Sequence, residues 1–247
     1  MTAYERHGIQ RLSPSNINAY ITNQGFWMLR YLFNYREPTN AAMSRGNAVE
    51  CGCDEGVRAG LDTDECIAIA VDDFNRRTAL DVDAESRAAE LENVPGMVEH
   101  GLELLRPLGE PVGYQKKIEI MLPEVPVPII GYLDWDYEDG SVVDLKTTKR
   151  CPSDISPSHR RQAAVYHRAV EAPIKFLYAT AKRSAIYEYD PAGNDLEVVR
   201  QAAIRMGRFL SISNDAKELA AIVTPDTSSF FFNGTANREK CREIFGI

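Results

Sequence analysis

The sequence predicts an α/β protein in which a central mixed β-sheet is flanked by helices and a helical N-terminal portion packs over the functional site. Three observations predict it. Residues as far as Pro107 and Gly109 carry helix-period apolar patterns. Three β-rich segments then follow one another, separated by Pro- and Gly-containing turns. A helix, two short apolar strands and a further long helix complete the pattern.

Taken in order, Ser13-Pro14-Ser15-Asn16 reads as a helix start, with a Ser cap and Pro in the first turn, opening a long apolar-periodic run to about Tyr35. Its aromatics, including Tyr20, Phe26, Trp27, Tyr31 and Phe33, are expected to be core. A second helix is expected over Met43–Gly60, and acidic amphipathic helices over Asp64–Leu80 and Ala84–Leu105. Val112–Leu122, Val127–Tyr137 and Ser141–Lys146 are the expected strands. Ser156–Val170 reads as a helix, with Gln162, Tyr166 and Val170 on one face. Ile174–Ala181 and Ala185–Tyr189 are short strands that suit a hairpin, and Leu196–Ile212 is the last long helix. The tail from Ser228 to Ile247 has no decisive pattern. A single domain over 1–247 is expected: a mainly helical part over 1–110, sheet and helix over 111–190, and closing helices over 191–247.

Composition removes several functional classes. At 44% hydrophobic and 26% charged, the chain has ordinary globular composition with enough apolar mass for a core. No apolar run reaches the roughly 18 residues a membrane span needs. Met1 to Leu12 is polar and mixed in charge, unlike a signal peptide, so a cytoplasmic location is expected. A net charge of −8 argues against a passive nucleic-acid coat. The charge is uneven, however. Asp54–Glu103 holds fourteen acids against four bases, whereas Leu145–Ala185 holds nine bases against two acids. The basic stretch is either a field for a polyanion or a set of solvated faces. Cys51, Cys53, Cys66, Cys151 and Cys241 form no CxxC pair and read as reduced thiols. His7, His100, His159 and His167 form no ligand spacing, and His159 is expected at the surface. There is no G-x-S-x-G and no thiol beside a histidine.

The chemistry concentrates at Gly131-Tyr132-Leu133-Asp134 and Asp144-Leu145-Lys146. In a strand, residues 144 and 146 project from the same face. The turn at Glu138-Asp139-Gly140-Ser141 returns the chain so that Asp134 can sit beside Asp144 on the neighbouring strand. Two carboxylates and a lysine converging at a strand end make a divalent-metal hydrolase site. Asp136 competes with Asp134 for that place, and a surface Asp144–Lys146 ion pair is the alternative. The apolar Val142-Val143 before them favours a buried strand, where an uncompensated charge is costly.

With these residues in hand, the sequence resembles the PD-(D/E)xK nuclease superfamily, in its RecB-type exonuclease branch. Leu12-Ser13-Pro14-Ser15 with the aromatic helix is similar to the branch's opening motif. Arg45-Gly46-Asn47-Ala48-Val49-Glu50 is similar to its RG-x-x-x-H/E element. Gly131-Tyr132-Leu133-Asp134 resembles the G-x-x-D strand, Asp144-Leu145-Lys146-Thr147-Thr148 the DxK-T strand, and Gln162-Ala163-Ala164-Val165-Tyr166 the Q-x-x-x-Y helix. The resemblance implies a restriction-endonuclease-like core and a Mg²⁺- or Mn²⁺-dependent phosphodiesterase acting on DNA in recombination, repair or replication. It implies Asp134, Asp144 and Glu50 as metal ligands, with the Leu145 carbonyl beside them, and Lys146 as the group that positions water or offsets charge on the phosphate. Gln162 and Tyr166 would touch the DNA backbone or a strand-end phosphate, with Arg45, Lys149, Arg160 and Arg161 as further DNA contacts. Glu50 stands where many members carry histidine; a carboxylate is a hard ligand that suits Mg²⁺. Related nucleases hold an iron–sulfur cluster with one N-terminal and three C-terminal cysteines. Asn23-Gln24-Gly25-Phe26 and the single Cys241 do not supply that set, so no cluster is expected. DNA is the expected partner, with a recombination or replication protein as a recruiting one, in a bacterial or phage-infected cell. The other readings are a non-catalytic DNA-binding or assembly module on the same fold, and a metal-dependent hydrolase of a small phosphorylated substrate.

Overall fold

Five strands form one sheet in the order in which the chain makes them, β1 (Gly113–Ile120), β2 (Ile129–Asp136), β3 (Val142–Thr147), β4 (Ile174–Ala179) and β5 (Ser184–Glu188). The computed structural model describes residues 1–247 except Pro38, Val82, Asn233 and Ile247. Every neighbouring pair is antiparallel except β3 and β4, which are parallel and register Asp144 on Phe176 and Lys146 on Tyr178. That one parallel pair needs a crossover, and α8 (Pro157–Val170) supplies it. The sheet is therefore mixed, as the sequence predicts.

Helices cover both faces. Before the sheet come α1 (Ala3–Arg6), α2 (Pro14–Thr22), α3 (Gln24–Tyr31), α4 (Ala41–Arg58), α5 (Thr63–Arg77), α6 (Ala84–Leu91) and α7 (Val94–Leu105). After it come α9 (Asp195–Leu210), α10 (Ala216–Ala220) and α11 (Thr235–Phe245). Strand alternation divides the apolar residues between two cores. Val142, Phe176 and Tyr178 pack with Leu12, Trp27, Val165 and Met206 on one side. Val143, Leu145, Leu177 and Ala179 pack with Val49, Phe74 and Leu102 on the other. Asp144 and Lys146 alternate with Val143 and Leu145, so they face the side covered by α8. Among the described residues no helix is long and apolar enough to cross a membrane.

Three expectations change. The run from Ser13 to Tyr35 is two helices, because Asn23 leaves the helical region (φ −155°, ψ 99°) and caps the second. Its carboxamide accepts from the Phe26 N–H at 3.0 Å and donates to the Asp226 carbonyl at 2.9 Å, which ties the break to the C-terminal segment. The stretch Ala84–Leu105 is likewise two helices, with Pro95 in the first turn of α7, where its missing N–H leaves no bond unmade. The tail without a decisive pattern forms a Phe230–Phe232 3₁₀ turn and α11, whose Phe232 and Cys241 join the first core. Helix α1, which the pattern did not announce, carries a Thr2/Glu5 capping box and inserts Tyr4 into the core to donate to the Ala203 carbonyl.

Candidate active site

The site begins where the β2–β3 ladder stops. The two strands pair through Asp136↔Val142 and Trp135↔Val143. At the next step a side chain replaces the main chain: Oδ2 of Asp134 accepts the Leu145 N–H at 2.9 Å. The carboxylate of the G-x-x-D segment is thereby locked onto the main chain of the strand that carries Asp144 and Lys146. Asp136, the competing candidate, takes the ammonium of Lys116 at 2.7 Å and does not line the cleft.

Asp144 is fully buried. The Lys146 ammonium contacts its Oδ1, and the Gln162 amide donates to its Oδ2 at 2.8 Å. Glu50 reaches the same place from α4. Gly46 seats that helix closely on the end of β3, where a Cβ would lie 3.3 Å from the Thr147 hydroxyl. Tyr114 donates its hydroxyl to Glu50 Oε1 at 3.1 Å. Gln115 donates its amide both to Glu50 Oε1 at 2.5 Å and to Asp134 Oδ1 at 3.1 Å.

Burial and mutual repulsion dominate the electrostatics. Burial raises the Asp134 carboxyl well above its ordinary range, the charge of Asp144 adds to this, and Lys146 and the Leu145 N–H oppose it. Burial also raises Asp144 against the pull of Lys146, and raises Glu50 against its bonds from Gln115 and Tyr114. For Lys146 burial acts downward, but Asp144 and Asp134 outweigh it and the net direction is up. Three carboxylates thus share one ammonium. An all-oxygen, negatively charged donor set of this kind fits a hard divalent cation. Among the described residues no three ligating side chains converge tightly enough to form a ready cage. The Gln115 amide lies between Glu50 and Asp134, and the Lys146 ammonium takes Asp144 Oδ1.

The sequence matches the family model of the PD-(D/E)XK nuclease superfamily over residues 11–242. The chain belongs to that superfamily. Among solved structures, it is similar to a candidate exonuclease from Eubacterium rectale, with a TM-score of 0.55 at 15% identity over 96% of this chain and 90% of the other. At that identity the likeness shows the fold. A second structure, SSO0001, aligns at a TM-score of 0.36 and 16% identity over 78% of this chain and 82% of that one, too low to carry an argument. No curated protein matches the chain.

The Asp134 and Lys146 side of the carboxylate–lysine cluster opens into a cleft of about 880 Å³. Asp134, Lys146, Gln162 and Tyr166 form part of its lining, and residues of α2, α3 and the Phe230–Phe232 turn form much of the rest. Gln162 and Tyr166 are also internal struts. Tyr166 accepts from the Gln162 amide at 2.8 Å and donates to the Tyr132 carbonyl at 2.7 Å.

The basic residues expected to meet DNA behave differently. Arg45 is buried in an ion pair with Glu90 and reaches Thr147 at 3.4 Å, so it braces α4 against β3 instead of facing a ligand. Lys149 also pairs with Glu90, at 2.9 Å, but stays exposed. Arg160 pairs with Asp195 at 3.2 Å over the Tyr189 ring, and Arg161 donates to Asn18 at 2.6 Å. None of the four lines the cleft. His159, expected at the surface, does line it: its ring stacks on Phe176 at 5.3 Å and its Nδ1 pairs with the Tyr178 hydroxyl at 2.7 Å. Burial, with Lys146 nearby, pushes its pKa down to about 4, so it is neutral at neutral pH.

Sequence reasoning missed Tyr114 and Gln115. Gln115 adopts φ +50° inside a strand, a conformation that costs a residue with a Cβ and tends to collect at functional sites. No motif marks it; a strand register placing residue 115 opposite Asp134 would have pointed to it.

Proposed function

We propose that this superfamily member is a divalent-metal-dependent deoxyribonuclease that degrades DNA from an end. The observation that carries the reading is the lock between the Asp134 carboxylate and the Leu145 N–H, which holds Asp134 beside the strand of Asp144 and Lys146, with Asp134 and Lys146 in the lining of the cleft and Asp144 buried behind them.

Asp134, Asp144 and Glu50, with the Leu145 carbonyl, would hold Mg²⁺ or Mn²⁺. Such an ion supplies Lewis-acid activation of water and of a phosphoryl oxygen. The protein groups do the rest. Lys146 presents an ammonium that Asp144 orients, ready to hold the attacking water or offset charge on the phosphate. Gln162 fixes the Asp144 carboxylate, and Tyr166 ties α8 to β2 so that both catalytic strands keep their places. In-line attack on the phosphodiester gives a 5′-phosphate and a 3′-hydroxyl. Action at ends agrees with the candidate exonuclease from Eubacterium rectale that shares this fold. Such an activity would serve recombination, repair or replication, alone or recruited by a partner of that machinery.

The test is cleavage of end-labelled linear DNA and of closed circles in Mg²⁺, Mn²⁺ or EDTA, by wild type, Asp144→Ala and Lys146→Ala. Metal-dependent loss of linear DNA only, absent in both variants, is expected. Cleavage of circles would make the enzyme an endonuclease. A folded wild type that binds metal and cleaves no DNA would overturn the reading.

A further inference from the structure

The Phe230–Phe232 3₁₀ turn carries three consecutive rings. Phe232 is fully buried and anchors the turn. Phe231 stacks on Phe26 with centroids 4.2 Å apart and planes 14° apart. Phe230 sits 4.0 Å from Phe231 and is 67% exposed. The result is a pile of three rings whose outermost member meets solvent, and all three line the cleft that holds Asp134 and Lys146. Tyr132, two residues before Asp134, is a second exposed aromatic in the same lining. Between them in character is Arg30. Its guanidinium lies 5.9 Å from the Tyr31 ring, and its Nε is buried with no hydrogen-bond partner among the described residues.

An exposed phenylalanine at the end of a stack asks for a flat apolar partner, and Arg30, a cation in the same lining, asks for an anion. A nucleic-acid strand supplies both, alternating along its length. A duplex supplies the anion but presents a base face only at its terminal pair, since its other bases already stack on one another. We propose that the Phe230 end of the cleft is a stacking subsite for unpaired bases, with Arg30 taking a phosphate, so that the strand entering the active site is single. This rests on the nuclease reading above and adds the substrate's strandedness to it.

The experiment is fluorescence anisotropy in Ca²⁺ with three probes: a short single-stranded oligonucleotide, the blunt duplex of the same sequence, and an abasic single strand of equal length. Wild type is compared with Phe230→Ala and Phe230→Trp, with melting temperatures measured alongside. Because the Phe230 side chain is largely in water, neither change should lower stability. Phe230→Ala should weaken single-strand binding by roughly 5- to 100-fold, as expected for losing one stacked base, and leave the abasic strand unaffected. Phe230→Trp should retain binding. Equal affinity of wild type for abasic and base-bearing strands would overturn the subsite, as would an unchanged Phe230→Ala variant. If the duplex is still bound in that event, and is cleaved when Mg²⁺ replaces Ca²⁺, the nuclease reading survives alone. Failure of every probe to bind wild type overturns both.

Discussion

The Tyr166 ring fills the space that a side chain on residue 131 would need. A Cβ at Gly131 would lie 2.6 Å from Tyr166 Cε1, well inside van der Waals contact. The glycine of the G-x-x-D segment therefore serves the close approach of α8 to β2, and its φ plays no part. Gly131→Ala should displace the ring, break its bond to the Tyr132 carbonyl and loosen Gln162 on Asp144. We expect a loss of about 1–3 kcal/mol in urea unfolding, as for other overpacked cores. Tyr166→Phe keeps the ring and deletes only the hydroxyl, so it should lose roughly 1 kcal/mol. If Gly131→Ala is as stable as wild type, the ring can yield and the packing account is wrong.

The three carboxylates predict a trade of stability against function at Asp134. Its raised pKa means that the folded state holds the proton more tightly than the unfolded chain does. Stability from that proton is fully present below the unfolded value of about 3.9 and is lost as pH rises through the folded pKa. Asp134→Asn removes the charge at all pH values while leaving an oxygen to accept the Leu145 N–H. In EDTA its melting temperature should match wild type near pH 4 and exceed it increasingly toward neutral pH. Added Mg²⁺ should raise the wild-type melting temperature and leave the variant's nearly unchanged, and cleavage should disappear. A variant less stable than wild type at neutral pH in EDTA would show that the bonds of Asp134 outweigh the repulsion it suffers.

The strand segments and the motif spacing were readable in the sequence because period-2 alternation and turn residues act locally. Val143 and Leu145 face one core while Asp144 and Lys146 face the other side, as alternation requires. The breaks at Asn23 and beside Pro95 were less legible. Asn23 is a capping residue whose helix-ending conformation is secured by the distant Asp226 carbonyl, and a window along the sequence does not contain that partner. Arg45 at a helix start suits a phosphate contact, yet Glu90, forty-five residues away, buries it. Tyr114 and Gln115 escaped for the same reason: their importance comes from facing Glu50 and Asp134, across the fold.

Arg45 offers a direct check of that reassignment. Its ion pair with Glu90 is buried on both sides, and removing one partner of such a pair leaves the other uncompensated. Arg45→Ala should destabilise the fold by on the order of 3 kcal/mol, softened by Lys149, which also reaches Glu90. Glu90→Gln should suppress part of the defect. DNA affinity per folded molecule should be unchanged, and the salt dependence of binding should keep its slope. A shallower slope would restore Arg45 to the phosphate contacts.

Lys146 is the residue at which structural and chemical roles must be separated. Its ammonium is the cation in contact with the buried Asp144 carboxylate. Lys146→Met keeps the aliphatic stem and removes the charge, so in EDTA the protein should lose on the order of 3 kcal/mol as Asp144 is left uncompensated. Mg²⁺ should return much of that stability, because a divalent ion at the same carboxylates replaces the missing charge. Turnover should not return with it. An ammonium that acts on charge developing in the transition state contributes about 10²- to 10³-fold. That loss should fall on kcat, with KM for DNA little changed, since ground-state binding of the strand draws on other groups. Metal titration by calorimetry and single-turnover cleavage at saturating DNA separate the two roles. If the metal-loaded variant cleaves at the wild-type rate, Lys146 is a counter-ion for Asp144 and nothing more.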